Sequence, residues 1–370
     1  MIVLVSAAAL RTSGARTIYR QFIAHLKTRV DGNRYYIMVG RDMEMPEIMG
    51  VEYLVVDVSS KIKRLMFDAF GLQRILSNHQ IRPDVVVSLQ NIGLRKYKQM
   101  PQIIYYHNAL PFFDYKWCLL KKKEYMMFLY KHLYPYFVKR TIGIKTEMVA
   151  QLPFIKKGIV AKYGVSPKQV HVMFPDLDDI NIADVEVGGY DEVKAVDFVF
   201  PATYMPYKGH EFLVSVMEKL YDVNRALAEQ VRIHLTLYET TSQALIKRME
   251  SKGVRANFVF HGVVNHARLL SMYKGARGLL FPSVIETLGL PLIEAAKFGL
   301  PVVACDLEYA HEVLAGYSGT TYVDSRSTAQ WAEAIIKIAS EHNTFAPLHA
   351  PERSSWEDFF DLIENKKVKR

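Results

Sequence analysis

The stretch from Phe281 to Pro301 constrains this chain more than any other. Gly278–Phe281 is a short apolar run of strand type, and Pro282-Ser283 stops it. Pro291 suits a first helical position, where its missing N–H costs little. Gly299 suits the left-handed position just past a helix end, and Pro301 prevents the helix from resuming. Pro301-Val302-Val303-Ala304 is then another buried-strand run. The spacing predicts strand, eight-residue loop, two-turn helix, strand.

A parallel crossover of this kind is nearly always right-handed, and its loop lies at the carboxyl edge of the sheet, where open α/β sheets bind ligands. The helix start at Gly289–Leu292 offers unpaired N–H groups that favour a phosphate. Glu286 in the loop and Glu294 about one turn into the helix flank that spot. A carboxylate accepts paired hydrogen bonds from vicinal hydroxyls, so a sugar–phosphate–ribose ligand suits the arrangement. Taken singly, an acidic residue in a first helical turn steadies the dipole with no ligand at all. The spacing of the whole pattern carries the reading.

A chain of 370 residues is long enough for two ordinary domains, each with its own core. Two cysteines, Cys118 and Cys305, make no disulfide framework and point to a reducing compartment, and no Cys/His cluster has zinc spacing. The opening Met1–Ala9 lacks the basic start of a signal peptide, so Ile2–Ser6 reads as a first buried strand. No stretch approaches about 18 apolar residues, the length that spans a membrane. Charge is uneven. Residues 1–175 hold 27 Lys+Arg against 11 Asp+Glu, and the remainder holds 20 against 27. A basic first half suggests an anionic partner, either nucleic acid or a membrane surface.

Strand-like runs Ile2–Ser6, Tyr35–Val39, Tyr53–Val58, Val85–Leu89, Ile103–Tyr106 and Ile142–Lys145 alternate with helical patterns. Ile18, Phe22 and Leu26 mark one helix; Ile62, Leu65, Met66 and Ala69 mark another. Thr146-Glu147 reads as an N-cap opening a helix that ends at Lys162-Tyr163-Gly164. Strands without polar alternation, separated by helices, argue for an α/β fold with parallel sheets covered on both faces. Residues 176–194, acidic and with Gly188-Gly189, suit a linker. The second half restarts with strand Val196–Phe200, and later runs include Ile233–Leu237, Phe258–Phe260 and a last helix from Ser355. Ser13-Gly14-Ala15 follows the first strand but lacks the glycine spacing of a dinucleotide fingerprint.

Between Phe112 and Arg140 ten aromatic rings interleave with seven basic residues, among them Lys121, Lys122 and Lys123, against Asp114 and Glu124 alone. Rings among headgroups and ammoniums over anionic lipid would use this composition, at about 1 kcal/mol per basic residue. Stacking on single-stranded nucleic acid is the competing use. A helix whose rings face the core accounts for part of the set, but ten rings are more than one helix face buries. Monotopic membrane attachment is the expectation.

Glu286-x7-Glu294 around Gly289-Leu290-Pro291, followed by Gly299-x-Pro301-Val302-Val303, resembles the signature of the retaining glycosyltransferases of family 4. The resemblance covers most of the chain, densest from Phe281 to Ala304 and thinnest before residue 140. It implies the GT-B fold, two Rossmann-like parallel-sheet domains facing each other across a cleft. Residues 1–175 would face acceptor and membrane, with helix 354–370 returning to them, and residues 195–353 would bind the nucleotide sugar. Glu286 would hold sugar hydroxyls and Glu294 the ribose. Leu288, Gly289 and Leu290 would bring the helix end to the diphosphate, and Gly14 would lie near it. His107, after the strand Ile103–Tyr106, would touch the donor sugar.

Pro201–His210 resembles the family's Gly-Arg-x-x-x-x-Lys-Gly loop, with Lys208 in the place of the pyrophosphate lysine and Thr203 where the arginine stands. Tyr238-Glu239 departs from a glycine-rich turn, and the turn at Gly262 matches the one that holds the nucleobase through backbone groups. The resemblance implies a UDP- or GDP-sugar donor, no cofactor and no metal. Joined to the basic aromatic segment Phe112–Arg140, it points to a lipid-linked saccharide acceptor at the cytoplasmic face of the membrane, in bacterial surface polysaccharide or lipopolysaccharide assembly, and without nucleic acid. The alternatives are a GT-B epimerase of nucleotide sugars, and a catalytically silent module that binds sugar nucleotide or nucleic acid.

Overall fold

The apolar runs pair side by side into two parallel sheets. In the computed structural model, residues 1–8, 10, 13–57, 77, 79–117, 124–177, 182–187, 195–341, 343–349 and 354–366 are described. The chain divides into two compact units, Met1–Leu177 with Pro351–Arg370, and Asp178–Ala350.

The first unit holds β1 (Ile2–Ser6), β2 (Arg34–Val39), β3 (Val51–Val55), β4 (Val85–Ser88), β5 (Gln102–Tyr106), β6 (Thr146–Ala150) and β7 (Val170–Val172). Their order is β3-β2-β1-β4-β5-β6-β7, and every neighbouring pair is parallel. Every residue of β4 and β5 is buried, as strands covered on both faces must be. The second unit repeats the plan with β8 (Val196–Phe200), β9 (Val231–Leu235), β10 (Phe258–Phe260), β11 (Gly278–Phe281), β12 (Val302–Cys305) and β13 (Thr320–Val323). Here the order is β10-β9-β8-β11-β12-β13, again all parallel. In each sheet the winding direction reverses once, between β1 and β4 and between β8 and β11. A crevice opens at the carboxyl ends of such a pair.

Residues 278–305 fold as strand, loop, helix, strand, as their glycine and proline spacing predicts. Leu279 and Phe281 pair with Val302 and Ala304, and the helix between them is Leu290–Lys297. Gly289 is its N-cap, so Pro291 stands at the second helical position, not the first. The Gly299 N–H bonds the Ala296 carbonyl and the Leu300 N–H bonds the Ala295 carbonyl. This is the paired closure that uses a left-handed residue, and Gly299 has φ 66°.

Thr146 corrects the sequence reading. Its main chain and hydroxyl close a turn on Gly143, each accepting or donating one bond between the two residues. The same hydroxyl chemistry caps helices, which is why the sequence looked like a helix start. The strand is therefore Thr146–Ala150 rather than Ile142–Lys145, and the helix runs from Pro153 to Tyr163, ending on Gly164 in the left-handed conformation. The expected helix at Ile62–Ala69, the Gly188-Gly189 pair, Cys118 and Lys121–Lys123 lie outside the described residues. The last helix, Ser355–Glu364, packs on the first unit. Phe22 meets the rings of Trp356, Phe359 and Phe360 at 5.2–6.2 Å, and Trp356 Nε1 donates to Gln21 Oε1 at 3.0 Å. Lys366, where the basic tail begins, pairs with Glu147 of β6.

Candidate functional site

The reversal in the second sheet places the loop after β8 beside the loop after β11, and three contacts join them. Val284 N–H donates to the Tyr207 carbonyl at 2.9 Å. Gly209, with φ 86°, lies so close to Pro282 that a Cβ there would stand 2.7 Å from its carbonyl oxygen. Only glycine meets both demands. Finally, Lys208 Nζ donates to Glu286 Oε1 at 2.5 Å, with side-chain exposures of 17% and 11%. Ile285 and Leu288 are buried on either side of Glu286, and Tyr309 Oη donates to the buried Ser283 carbonyl at 2.6 Å, so the loop carrying the carboxylate is anchored. Lys208 also stands 5.6 Å from the centre of the Tyr207 ring. Burial, with a smaller contribution from Glu286, pushes the Tyr207 hydroxyl up to about 12.

Glu294 points from the helix Leu290–Lys297 toward the neighbouring helix His266–Gly275. Its Oε2 accepts from Tyr273 Oη at 3.1 Å and its Oε1 lies 3.2 Å from His266 Nε2. Burial first, and Glu294 second, raise the Tyr273 hydroxyl well above its ordinary range, so it remains a donor. Gly289 and Leu290 present the helix start, where no side chain caps the backbone. Thr203 is exposed, and the loop has no arginine at that position. Gly262 is buried with φ 71° at the carboxyl end of β10.

The remaining expected residues belong to the first unit. His107 follows β5 at the carboxyl edge; its N–H donates to Asn91 Oδ1 at 2.5 Å, and its Nε2 lies 3.1 Å from the Leu89 carbonyl. That contact assigns the proton to Nε2. Burial holds the ring's pKa below the usual histidine value, which keeps it neutral. Gly14 departs from the expected loop. It is the second residue of helix Ser13–Thr28, exposed, with open space where a Cβ would stand, so the local fold does not require glycine.

The sequence reading missed three groups. His210, directly after the loop glycine, is buried against Phe200 and Tyr204, and burial pushes it down to about 3. Tyr273 and His266 hold Glu294. Asp197 of β8, His234 of β9 and His261 form a line, with His234 Nε2 2.7 Å from Asp197 Oδ1 and His234 Nδ1 2.8 Å from His261 Nε2. A signal for this line existed. Asp197 and His234 each interrupt an apolar strand, and a buried ionisable group must find a partner.

An ammonium and a helix start, side by side at the reversal, can hold a diphosphate. Two carboxylates nearby can accept from hydroxyls. Donors fixed in advance stabilise charge that develops on a departing diphosphate without reorganising.

Residues 191–349 match the family model described as glycosyl transferases group 1. The D-inositol 3-phosphate glycosyltransferase of Gordonia bronchialis is 26% identical over 222 residues, which is 55% of this chain and 48% of that protein. The chain spans about half the length of the curated relatives it matches. Among solved structures, WaaG, a glycosyltransferase involved in lipopolysaccharide biosynthesis, superposes with a TM-score of 0.64 at 16% identity, covering 92% of this chain and 91% of WaaG. Anabaena HepE in complex with UDP and glucose gives 0.60 at 14% identity, covering 92% and 90%. The fold is GT-B, with two parallel-sheet α/β units.

Proposed function

We propose that this chain is a retaining glycosyltransferase of family 4. It moves a sugar from a UDP- or GDP-sugar to a lipid-linked saccharide in the assembly of bacterial surface polysaccharide or lipopolysaccharide. The observation that carries the reading is the Lys208–Glu286 pair at the reversal of the second sheet, beside the start of helix Leu290–Lys297 and inside the span 191–349. WaaG, involved in lipopolysaccharide biosynthesis, and HepE, in complex with UDP and glucose, support the choice of acceptor and donor class.

Lys208 and the helix start take the diphosphate, Glu286 the sugar hydroxyls, and Glu294 the ribose. Leu288, Gly289 and Leu290 shape the approach to the helix, and Thr203 and Gly262 border the donor. In the first unit His107 is the group assigned to a sugar hydroxyl. As the bond from sugar to diphosphate breaks, negative charge gathers on the leaving oxygen, and stabilising it is the main catalytic task. The step uses no protein nucleophile, cofactor or metal.

The acceptor reading rests on helices Tyr125–His132 and Tyr134–Thr141. Of the rings counted in the sequence, the half-buried Phe112 and Phe113 pack against Tyr163 and Phe154, and the buried Trp117 packs against Tyr115. Tyr125, Tyr130, Leu133, Tyr136 and Phe137 remain exposed, next to Lys139 and Arg140. No described helix is long and apolar enough to cross a membrane. Exposed rings beside basic residues suit a peripheral seat on the anionic inner face.

The test is a thermal-shift panel of UDP, GDP, ADP and CMP sugars on the native chain, Lys208→Ala and Glu294→Ala. One sugar nucleotide should raise the native midpoint and leave both variants unmoved; equal shifts in all three proteins would refute the site. Co-sedimentation with phosphatidylserine vesicles should fall when Tyr136 and Phe137 become serine. A native chain that ignores the vesicles would remove the membrane part.

A further inference from the structure

Resting on the reading of the second unit as a donor site, the direction of the bound nucleotide can be worked out from Glu294. The diphosphate sits at the β8–β11 reversal, and a nucleoside extending from it crosses either β9 and β10 or β12 and β13. Both oxygens of Glu294 are turned to Tyr273 and His266, on the helix that follows β10. A ribose on Glu294 therefore lies on the β10 side, and its base falls over the carboxyl ends of β9 and β10.

That edge carries an aromatic surface. Tyr238, just after β9, is 53% exposed. Its ring lies against Gly262, where a Cβ would stand 2.5 Å from Tyr238 Cε1. A single exposed tyrosine needs no explanation. The backbone beneath it does, because the chain gives up a side chain at the buried Gly262, in left-handed conformation, and so seats the ring. The turn itself is pinned: His261 N–H donates to the Leu235 carbonyl and Gly262 N–H to the Leu237 carbonyl, both at 2.9 Å. In the same turn, the line Asp197–His234–His261 fixes the half-buried His261 ring, the residue before Gly262. The two imidazoles are inclined by 23° with centres 5.1 Å apart. An exposed aromatic ring seated on a pinned turn can bind any base through its π-face.

We propose that Tyr238 is the stacking platform for the base of the bound nucleoside diphosphate, held in place by the Gly262 turn. It is an affinity element that tolerates different bases and requires an aromatic ring. Isothermal titration of the full chain with UDP, GDP, ADP and inorganic pyrophosphate tests this. For the nucleotide that binds, Tyr238→Ala should weaken the dissociation constant roughly tenfold or more, the range of one lost stack. Tyr238→Phe should stay within about twofold of native, since the ring and not the hydroxyl does the stacking. Pyrophosphate should bind native and Tyr238→Ala alike.

If Tyr238→Ala binds the nucleotide as well as native while Lys208→Ala loses it, the platform is wrong and the donor site stands. If Lys208→Ala also binds as native, or the native chain binds none of the three nucleotides, both readings fall together.

Discussion

Lys208→Met separates what the Lys208–Glu286 pair does for folding from what it does for the ligand. The pair is 2.5 Å long and its members keep 17% and 11% of their exposure, so it lies between two limits. Exposed pairs are worth about 0–1 kcal/mol. Removing one partner from a fully buried pair costs about 3–5 kcal/mol, because the other charge is left without compensation. We therefore expect Lys208→Met to cost about 2–3 kcal/mol, with Glu286 stranded in an anchored loop. For a unit of this size that corresponds to a fall of roughly 4–12 °C in Tm. Glu286→Gln should cost less, since a neutral amide still accepts a hydrogen bond from the ammonium.

The double variant Lys208→Met/Glu286→Gln strands no charge, so its loss should fall short of the sum of the single losses by about 1–2 kcal/mol. Function follows another rule. Nucleotide binding and transfer should be lost with Lys208→Met and not return in the double variant. The assay is chemical denaturation of all four proteins beside titration with the sugar nucleotide that stabilises the native chain. Strict additivity of the stability losses would refute the coupling. Recovery of ligand binding in the double variant would refute the role given to the ammonium.

Gly209→Ala meets both a left-handed backbone and the Pro282 carbonyl, so it should cost about 2 kcal/mol or more and disorder the Lys208 loop; circular dichroism melts with and without ligand check it. Tyr273→Phe removes one donor from Glu294 and should cost about 1 kcal/mol in stability. It should also weaken nucleotide binding several-fold; a stability loss with unchanged binding would make Glu294 a packing residue only. Burial in the folded state pushes His210 down to about 3, from the ordinary histidine value near 6.5 that holds when unfolded. Below pH 6.5 the unfolded state therefore binds the extra proton, and stability declines as pH falls, by about 1.4 kcal/mol per pH unit. Denaturation at pH 7 and pH 5 should show about 2 kcal/mol of this decline in the native chain and lack it in His210→Leu.

How much of this was legible in the sequence depended on how local the cause was. Phe281–Pro301 could be read because glycine and proline restrict φ at their own positions, whatever the rest of the chain does. The strands could be read because β4 and β5 are buried on both faces and therefore apolar throughout. Thr146 misled because a hydroxyl that closes a turn and one that caps a helix look alike until the next four residues are placed in a sheet. The partner of Glu286 is 78 residues away, and the partners of Glu294 are on another helix. Residue types nominated those carboxylates; only the parallel order of the strands shows what each one meets. His210 was invisible because its property is burial, which the sequence beside Lys208-Gly209 does not express.

Thr203 sharpens what the pair at the reversal has to do. With no arginine at that position, Lys208 is the cation of its loop, and one of its three N–H groups is committed to Glu286. Two remain for a diphosphate, so the carboxylate orients the ammonium without excluding the ligand. Its charge, however, cancels much of what the lysine offers. A diphosphate arriving there meets a nearly neutral ion pair, and its stabilisation falls to directed hydrogen bonds, those of the ammonium and of the backbone N–H groups of Gly289 and Leu290, since Pro291 has none and that of Leu292 is given to the Gly289 carbonyl. Such donors act by position more than by net charge, so their worth rests on how firmly the two loops are held. That places weight on residues that touch no ligand. The close approach of Gly209 to Pro282, the Val284–Tyr207 bond and the Tyr309–Ser283 bond fix the geometry, and loosening any of them should weaken the site with every charge still in place.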